Sequence, residues 1–298
     1  MIPIDLHVHS AYSDGVLSPE ALCALALKQR IYTLALCDHD TVDGLAPMAE
    51  AAQRCNRPLH RLTVIPALEL STGPDGRTHI LGYGVNPAHP ALLAALQALR
   101  EKRRARSGQM VEALRKLGFT IPPDWLPADS ERMPVGRPHV ARALVRLGAV
   151  NTVQQAFDRY LAEGKPAYVP LAHMTATEAV KRLRLAGAIP ALAHPMRAGL
   201  EPQALEALVA ALQNAGLAGL EVYHPSASRR AIRQLDAMAR RRGLLVTGGS
   251  DFHGDAGERG KLGGLPPGWH AWQADLAALN AAVRAAAEAG KNGAPAGE

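Results

Sequence analysis

The stretch Asp5-Leu6-His7-Val8-His9-Ser10 decides how this chain is read. Apolar Leu6 and Val8 alternate with Asp5, His7 and His9, the period-two signature of a strand, so both imidazoles project from one side of its end. The arrangement recurs along the chain. Asp38-His39-Asp40 closes a second apolar run, Glu69 closes a third and His79 sits in a fourth. His194 follows Ile189-Pro190-Ala191-Leu192-Ala193, and Asp251-Phe252-His253 closes the last run. Nitrogen and oxygen ligands brought to one mouth by many strand ends are what a cluster of divalent metals requires.

Working outward, strands are expected at Ile2–His9, Tyr32–Cys37, Leu62–Glu69, Arg77–Val85, Ile189–Ala193, Gly219–Tyr223 and Leu244–Gly249. Gly73-Pro74-Asp75-Gly76 reads as a turn joining the third and fourth strands into a hairpin. Ser18-Pro19-Glu20 opens a helix with a cap and a first-turn proline. Further helices are expected at Asp43–Arg54, Thr175–Ala186, Pro202–Ala215, Ser228–Arg242 and Ala271–Ala287. Seven strands alternating with helices predict a barrel-like α/β fold, one strand short of the usual eight.

The alternation breaks after Val85, where roughly a hundred helical residues intervene. Pro90 to Leu117 reads as one long helix and Arg137-Pro138-His139-Val140-Ala141-Arg142 opens another, with Pro122-Pro123 and Pro127 between them. The expected organisation is a barrel from 1–98 and 168–298, with 99–167 inserted as a helical, basic lid beside the mouth. That insertion holds thirteen Lys/Arg against seven Asp/Glu, an excess equal to the +6 of the whole chain. A local basic field suits an anionic substrate or nucleic acid, the plainer alternative being a solvated helix face. Gly290–Glu298 is expected to fray, and Gly257–Gly268 to form a surface loop.

Composition narrows the class. Hydrophobic residues make up 48% but aromatics only 4%, so the core must be aliphatic. Cys23, Cys37 and Cys55 lack C-x-x-C spacing, which argues against a disulfide framework or a thiolate metal site. No apolar run reaches the ~18 residues of a membrane span, and the N-terminus enters strand-like sequence at once, leaving no room for a signal peptide. A cytoplasmic enzyme is expected, with no membrane association and no obligate protein partner implied.

His7 and His9, two apart on a strand, point the same way, and Asp251 and His253 repeat that geometry. Asp14, in Tyr12-Ser13-Asp14-Gly15, is a short carboxylate on a turn that can reach back over the mouth. Together with Asp5-Leu6-His7-Val8-His9-Ser10, Cys37-Asp38-His39-Asp40, Ala193-His194-Pro195 and Ser250-Asp251-Phe252-His253, this motif resembles the PHP family, the polymerase and histidinol phosphatase family of metal-dependent phosphoesterases. The resemblance implies a distorted seven-stranded (β/α) barrel with a trinuclear metal site. Its ligands would be His7, His9, Asp14, His39, Glu69, His79, His194, Asp251 and His253, with Glu69 bridging because a carboxylate has two oxygens to share.

Asp5, Asp38 and Asp40 read as groups that orient the ligand imidazoles, although Asp40 could equally serve the turn before the next helix. Mixed oxygen and imidazole ligation suits Mn²⁺, Fe²⁺ or Zn²⁺, and the family leans towards three Mn²⁺ ions. Glu69, Asp38 and His224 are assigned to the catalytic machinery, and Arg137, His139, Arg197 and Arg104 to substrate contact, Arg104 as part of the Arg103-Arg104-Arg106 cluster. His60, His89, His173 and His270 read as structural or solvated. No residue stands out as leaving-group acid.

The expected reaction is phosphate ester hydrolysis by a metal-bound hydroxide. Gly136-Arg137-Pro138-His139-Val140-Ala141-Arg142 resembles the branch that removes the 3′-phosphate of nucleoside 3′,5′-bisphosphates, some members of which also trim short RNA from the 5′ end. Small nucleotides or short oligonucleotides fit scarce aromatics better than extended strands do. The alternatives are a histidinol-phosphate-type phosphomonoesterase, a nuclease on longer nucleic acid, an amidohydrolase, and a metal-binding module without catalysis. The complete ligand set weighs against the last.

Overall fold

Ile4, Leu6 and Val8 alternate with Asp5 and His7 in the first strand, β1 (Ile4–Val8), which is buried on both faces. A computed structural model of the chain describes residues 4–56, 61–73, 76, 78–126, 136–171, 173–254, 261–266, 275–281 and 283–284. From β1 the chain runs through α1 (Pro19–Lys28), β2 (Thr33–Leu36), α2 (Leu45–Cys55), β3 (Thr63–Thr72) and β4 (Thr78–Tyr83). The long helix α3 (Pro90–Lys116), α4 (Arg137–Arg146), the short α5 (Val153–Ala156) and α6 (Ala176–Leu185) follow. Then come β5 (Ile189–Leu192), α7 (Pro202–Asn214), β6 (Gly219–Tyr223), α8 (Arg229–Arg242) and β7 (Leu245–Gly248).

The seven strands form one sheet in sequence order. Pairing is parallel except where β4 runs antiparallel to both β3 and β5. Parallel neighbours need a crossover, and α1, α2, α7 and α8 supply one each. Beyond β7 the chain returns to β1: Asp251 N–H donates to the His7 carbonyl and His9 N–H to the Phe252 carbonyl, each at 2.9 Å. The sheet is thus nearly closed into the expected distorted seven-stranded barrel.

The main departure concerns Glu69. Instead of closing its strand, it sits inside β3, which continues to Thr72 because the antiparallel ladder to β4 runs on through Ser71↔His79 and Thr72↔Thr78. Glu69 itself lies opposite Leu81. Gly73 and Gly76 both take positive φ, as the hairpin turn requires. Pro74 and Asp75 of that turn lie outside the described residues, as do His60, Pro127, His270, the 290–298 tail and residues 257–260 and 267–268 of the expected surface loop. Of the expected Ala271–Ala287 helix, 275–281 and 283–284 are described and helical.

A large aliphatic core fills the barrel and the space under its helices, with Leu6, Leu22, Leu36, Met48, Leu68 and Leu81 fully buried. A separate apolar cluster, including Met110, Leu114, Val140, Leu144, Ala156 and Leu161, ties the second half of α3 to α4 and α5. Among the described residues no helix is long and apolar enough to cross a membrane.

Candidate metal centre

Glu69 is fully buried at the hub of the barrel mouth. Its Oε1 lies 2.8 Å from both His79 Nδ1 and His194 Nε2. Its Oε2 is 3.2 Å from His7 Nε2, 3.3 Å from His9 Nε2 and 3.3 Å from His39 Nδ1. Asp251 Oδ1 approaches His9 Nε2 at 3.2 Å, and Asp14 Oδ1 approaches His253 Nε2 at 3.0 Å. All nine residues of the expected ligand set are therefore gathered at one mouth.

Each of several rings has one nitrogen anchored away from the hub. His7 Nδ1 donates to Glu221 Oε1 at 3.0 Å, His79 Nε2 to the Gly76 carbonyl at 2.8 Å and His253 Nδ1 to the Asp251 carbonyl at 2.7 Å. The opposite nitrogen of each then faces the carboxylates, the arrangement by which outer partners set the tautomer of ligating imidazoles. His194 and Asp251 hold φ of 25° and 53°, backbone that side chains rarely adopt and that the fold imposes at the mouth.

The donors fit metal ions. They form three overlapping groups: His9, Asp14, His39 and His253; His7, His9, Glu69 and Asp251; and His39, Glu69 and His79. His9 Nδ1, His39 Nδ1, His194 Nδ1 and Glu69 Oε2 are buried without a hydrogen bond, a costly state unless another partner takes them up. Burial pushes His39 down to about 3 and His194 down to about 4, which keeps them as the neutral imidazoles that ligate metal. Burial alone would raise the Glu69 carboxyl, but His39, His7 and His79 outweigh it and hold it well below the usual range.

A cavity of ≈ 220 Å³ opens over this floor. Its lining brings Asp14, His39, His79, His194 and Asp251 together with Arg103, Arg106, Arg137 and Arg197. Arg197 Nη1 donates to Asp251 Oδ2 at 2.5 Å. The Arg137 guanidinium sits 5.8 Å from the Phe157 ring centre and 6.0 Å from that of Tyr168. Arg106 is only 6% exposed and has no carboxylate partner among the described residues. Burial, with Arg103 and Arg137 nearby, pushes it down to about 9.

Several expected contacts fall elsewhere. Arg104 lies on the exposed face of α3, away from the cavity lined by Arg103 and Arg106: at about 100° per residue, positions 103 and 106 share a face that 104 does not. His139 caps its own helix, its Nδ1 accepting from Gly136 N–H at 3.1 Å, and does not line the cavity. His224 is buried behind Asp251, its Nε2 3.6 Å from Asp251 Oδ2 and its Nδ1 bonded to Ser226. Asp38 also lies off the cavity, accepting from Ser10 N–H, Ser10 Oγ and Ser13 Oγ, each at 2.7 Å. It shapes the loop that delivers Asp14.

None of the three flanking aspartates orients an imidazole directly. Asp5 accepts from Ser250 N–H and Gly263 N–H and ties β1 to the segments after β7. Asp40 accepts from Ser71 N–H at 2.9 Å and pairs with Arg103. Conversely, His173, expected to be structural or solvated, lines the cavity. Glu221 was missed. Its one sequence signal is a carboxylate in the middle of the apolar Gly219–Tyr223 run, which a buried strand tolerates only with a partner.

Residues 5–103 match the family model described as PHP domain. The chain is 38% identical over 275 residues to the 3′,5′-nucleoside bisphosphate phosphatase of Chromobacterium violaceum, covering 90% of this chain and 94% of the relative. It is 34% identical to the 5′-3′ exoribonuclease Rnm of Escherichia coli, covering 90% of this chain and 93% of that protein. Among solved structures, an amidohydrolase from Chromobacterium violaceum with bound sulfate and no metal superposes with a TM-score of 0.79 at 35% identity, over 92% of this chain and 96% of that one. The chain belongs to the PHP family and is a metal-dependent phosphoric ester hydrolase.

Proposed function

We propose that this PHP hydrolase removes the 3′-phosphate of nucleoside 3′,5′-bisphosphates and, by the same chemistry, trims short RNA from its 5′ end. The observation that carries the reading is Arg106: a buried guanidinium without a carboxylate partner among the described residues, in the cavity that Asp14, His39, His79, His194 and Asp251 also line. A buried cation in that state calls for an anion. A substrate with two phosphates supplies one to the cluster and one to the arginines. The names of the Chromobacterium violaceum and Escherichia coli relatives support both halves of the reading.

Three divalent ions, Mn²⁺ by family preference, would be held by His7, His9, Asp14, His39, Glu69, His79, His194, Asp251 and His253. When bound, such ions supply an activated water at neutral pH and stabilise the charge of an in-line displacement. The protein's own groups do the rest. Glu69 offers two oxygens between the imidazoles, and Arg197 is held over the mouth by Asp251. Arg103, Arg106 and Arg137 would grip the second phosphate, and an arginine fork matches phosphate oxygens bidentately. Residues 99–167 act in this reading as a helical basic lid, supported by their separate apolar cluster. Asp38 and His224 then serve the site by positioning Asp14 and Asp251.

The test is phosphate release with Mn²⁺ from a nucleoside 3′,5′-bisphosphate, run beside the 5′-monophosphate and histidinol phosphate. Selective turnover of the bisphosphate is expected. Equal turnover of all three would keep the phosphatase and discard the second-phosphate grip. No turnover by a metal-loaded sample would discard the reading in favour of longer nucleic acid or a C–N bond.

A further inference from the structure

Asp40 follows the metal-site histidine His39 but faces away from it. Its backbone is left-handed, at φ 53°, and its N–H donates to the Glu69 carbonyl at 2.9 Å. Both carboxylate oxygens are committed elsewhere. One accepts from Ser71 N–H at 2.9 Å, and the other pairs with Arg103 Nη2, which also donates to Ser71 Oγ at 2.9 Å. Both partners are buried, Asp40 to 1% exposure and Arg103 to 9%. One turn earlier on α3, Arg100 pairs with Asp43 at 2.9 Å, so two arginines three apart grip two aspartates three apart.

A buried ion pair adds little net stability, because desolvation of both charges offsets their attraction. It does fix orientation, and an arginine fork binds phosphate well only when its plane is set beforehand. Arg103 lines the cavity, and its Nε is buried without a hydrogen bond. Asp40 and Ser71 both engage Nη2, whereas Nη1 lies toward Gly136 of the cavity lining.

We infer that Asp40 is a positioning residue for the anion subsite: through its pair with Arg103 it holds that guanidinium in the cavity, ready for the phosphate that does not sit on the metal ligands. The inference rests on the two-phosphate reading given above. Asp40 does not touch the reacting atoms, and it marks where the barrel sets the geometry of the helical insertion.

The test uses the Mn²⁺-loaded enzyme and the variants Asp40→Asn and Ser71→Ala. Kinetics are measured on a nucleoside 3′,5′-bisphosphate and on the 3′-monophosphate, which lacks the second phosphate. Bound metal is counted, and sulfate affinity is measured by calorimetric titration. Asp40→Asn should raise KM for the bisphosphate about tenfold, equivalent to about 1.4 kcal/mol, with most of the loss in KM rather than kcat. KM for the 3′-monophosphate and the bound metal should hold, and sulfate should bind more weakly. Ser71→Ala should move the same quantities less far, and it decides the matter if Asp40→Asn does not fold. A loss confined to kcat, a loss of metal, or an equal rise in KM for both substrates would overturn the inference. If the wild-type enzyme turns over neither nucleotide, the functional reading fails while the sulfate titration still decides: equal affinity in wild type and variants sinks the role of Asp40.

Discussion

His7 and Glu221 meet across the barrel, with His7 Nδ1 3.0 Å from Glu221 Oε1, while the other carboxylate oxygen accepts the backbone N–H of His194 at 2.6 Å. One buried carboxylate thus sets the ring of a β1 histidine and pins the strained backbone of the histidine after β5. Glutamine keeps a single oxygen and cannot serve both donors. Glu221→Gln should therefore weaken metal binding by about 10–100-fold, the usual cost of losing such an outer partner. Metal titration of the chelator-treated protein checks this, and wild-type affinity in the variant would remove the assignment.

Gly249 lets β1 and the end of β7 close on one another. A Cβ at this position would lie 2.1 Å from His7 Cβ and 2.5 Å from His7 N. Neither atom is the tip of a flexible side chain, so the backbone must move. Gly249→Ala should cost about 1–3 kcal/mol or more of stability and should lower metal content with it. Urea denaturation and metal analysis on the same preparation provide the measurement.

Arg106 sets stability against ligand binding. Removing a buried cation that has no carboxylate partner among the described residues relieves a penalty of about 1–3 kcal/mol, so Arg106→Gln should melt at a higher temperature than wild type when no anion is bound. The order should reverse in saturating bisphosphate, because only the wild type gains binding energy at that position. Thermal melts with and without ligand show the crossover or its absence.

The three cysteines should differ in reactivity. Burial pushes the Cys23 thiol up to about 12 and raises Cys37 well above the ordinary range, whereas Cys55 is only partly buried. The thiolate is the reactive form. At pH 8 the native protein should consume one equivalent of a disulfide reagent at Cys55, and the other two thiols should appear only on unfolding. Peptide mapping of the modified chain locates the label.

The barrel was legible because its evidence is local. Alternation of apolar and ligating residues in Asp5–His9, and its echo at Asp251–His253, follows from the period of a strand, which any strand pairing preserves. The helical stretch from Pro90 was equally plain, with His89 capping its first turn. Less legible was the interior place of Glu69 in β3, because strand length there is set by the partner β4.

The sequence by itself determined which residue types sit in and beside each strand, and hence the barrel and its ring of metal-type ligands, because both rest on a two-residue repeat read within short windows. Only the tertiary structure decided which charges face one another. Arg103 reaches Asp40 across 63 positions and His7 reaches Glu221 across 214. Arg106 rather than Arg104 enters the cavity. These outcomes depend on how α3 is rotated against the sheet and how the first strand meets the sixth in space. Such geometry is fixed by packing between segments far apart in the chain, and no local period encodes it.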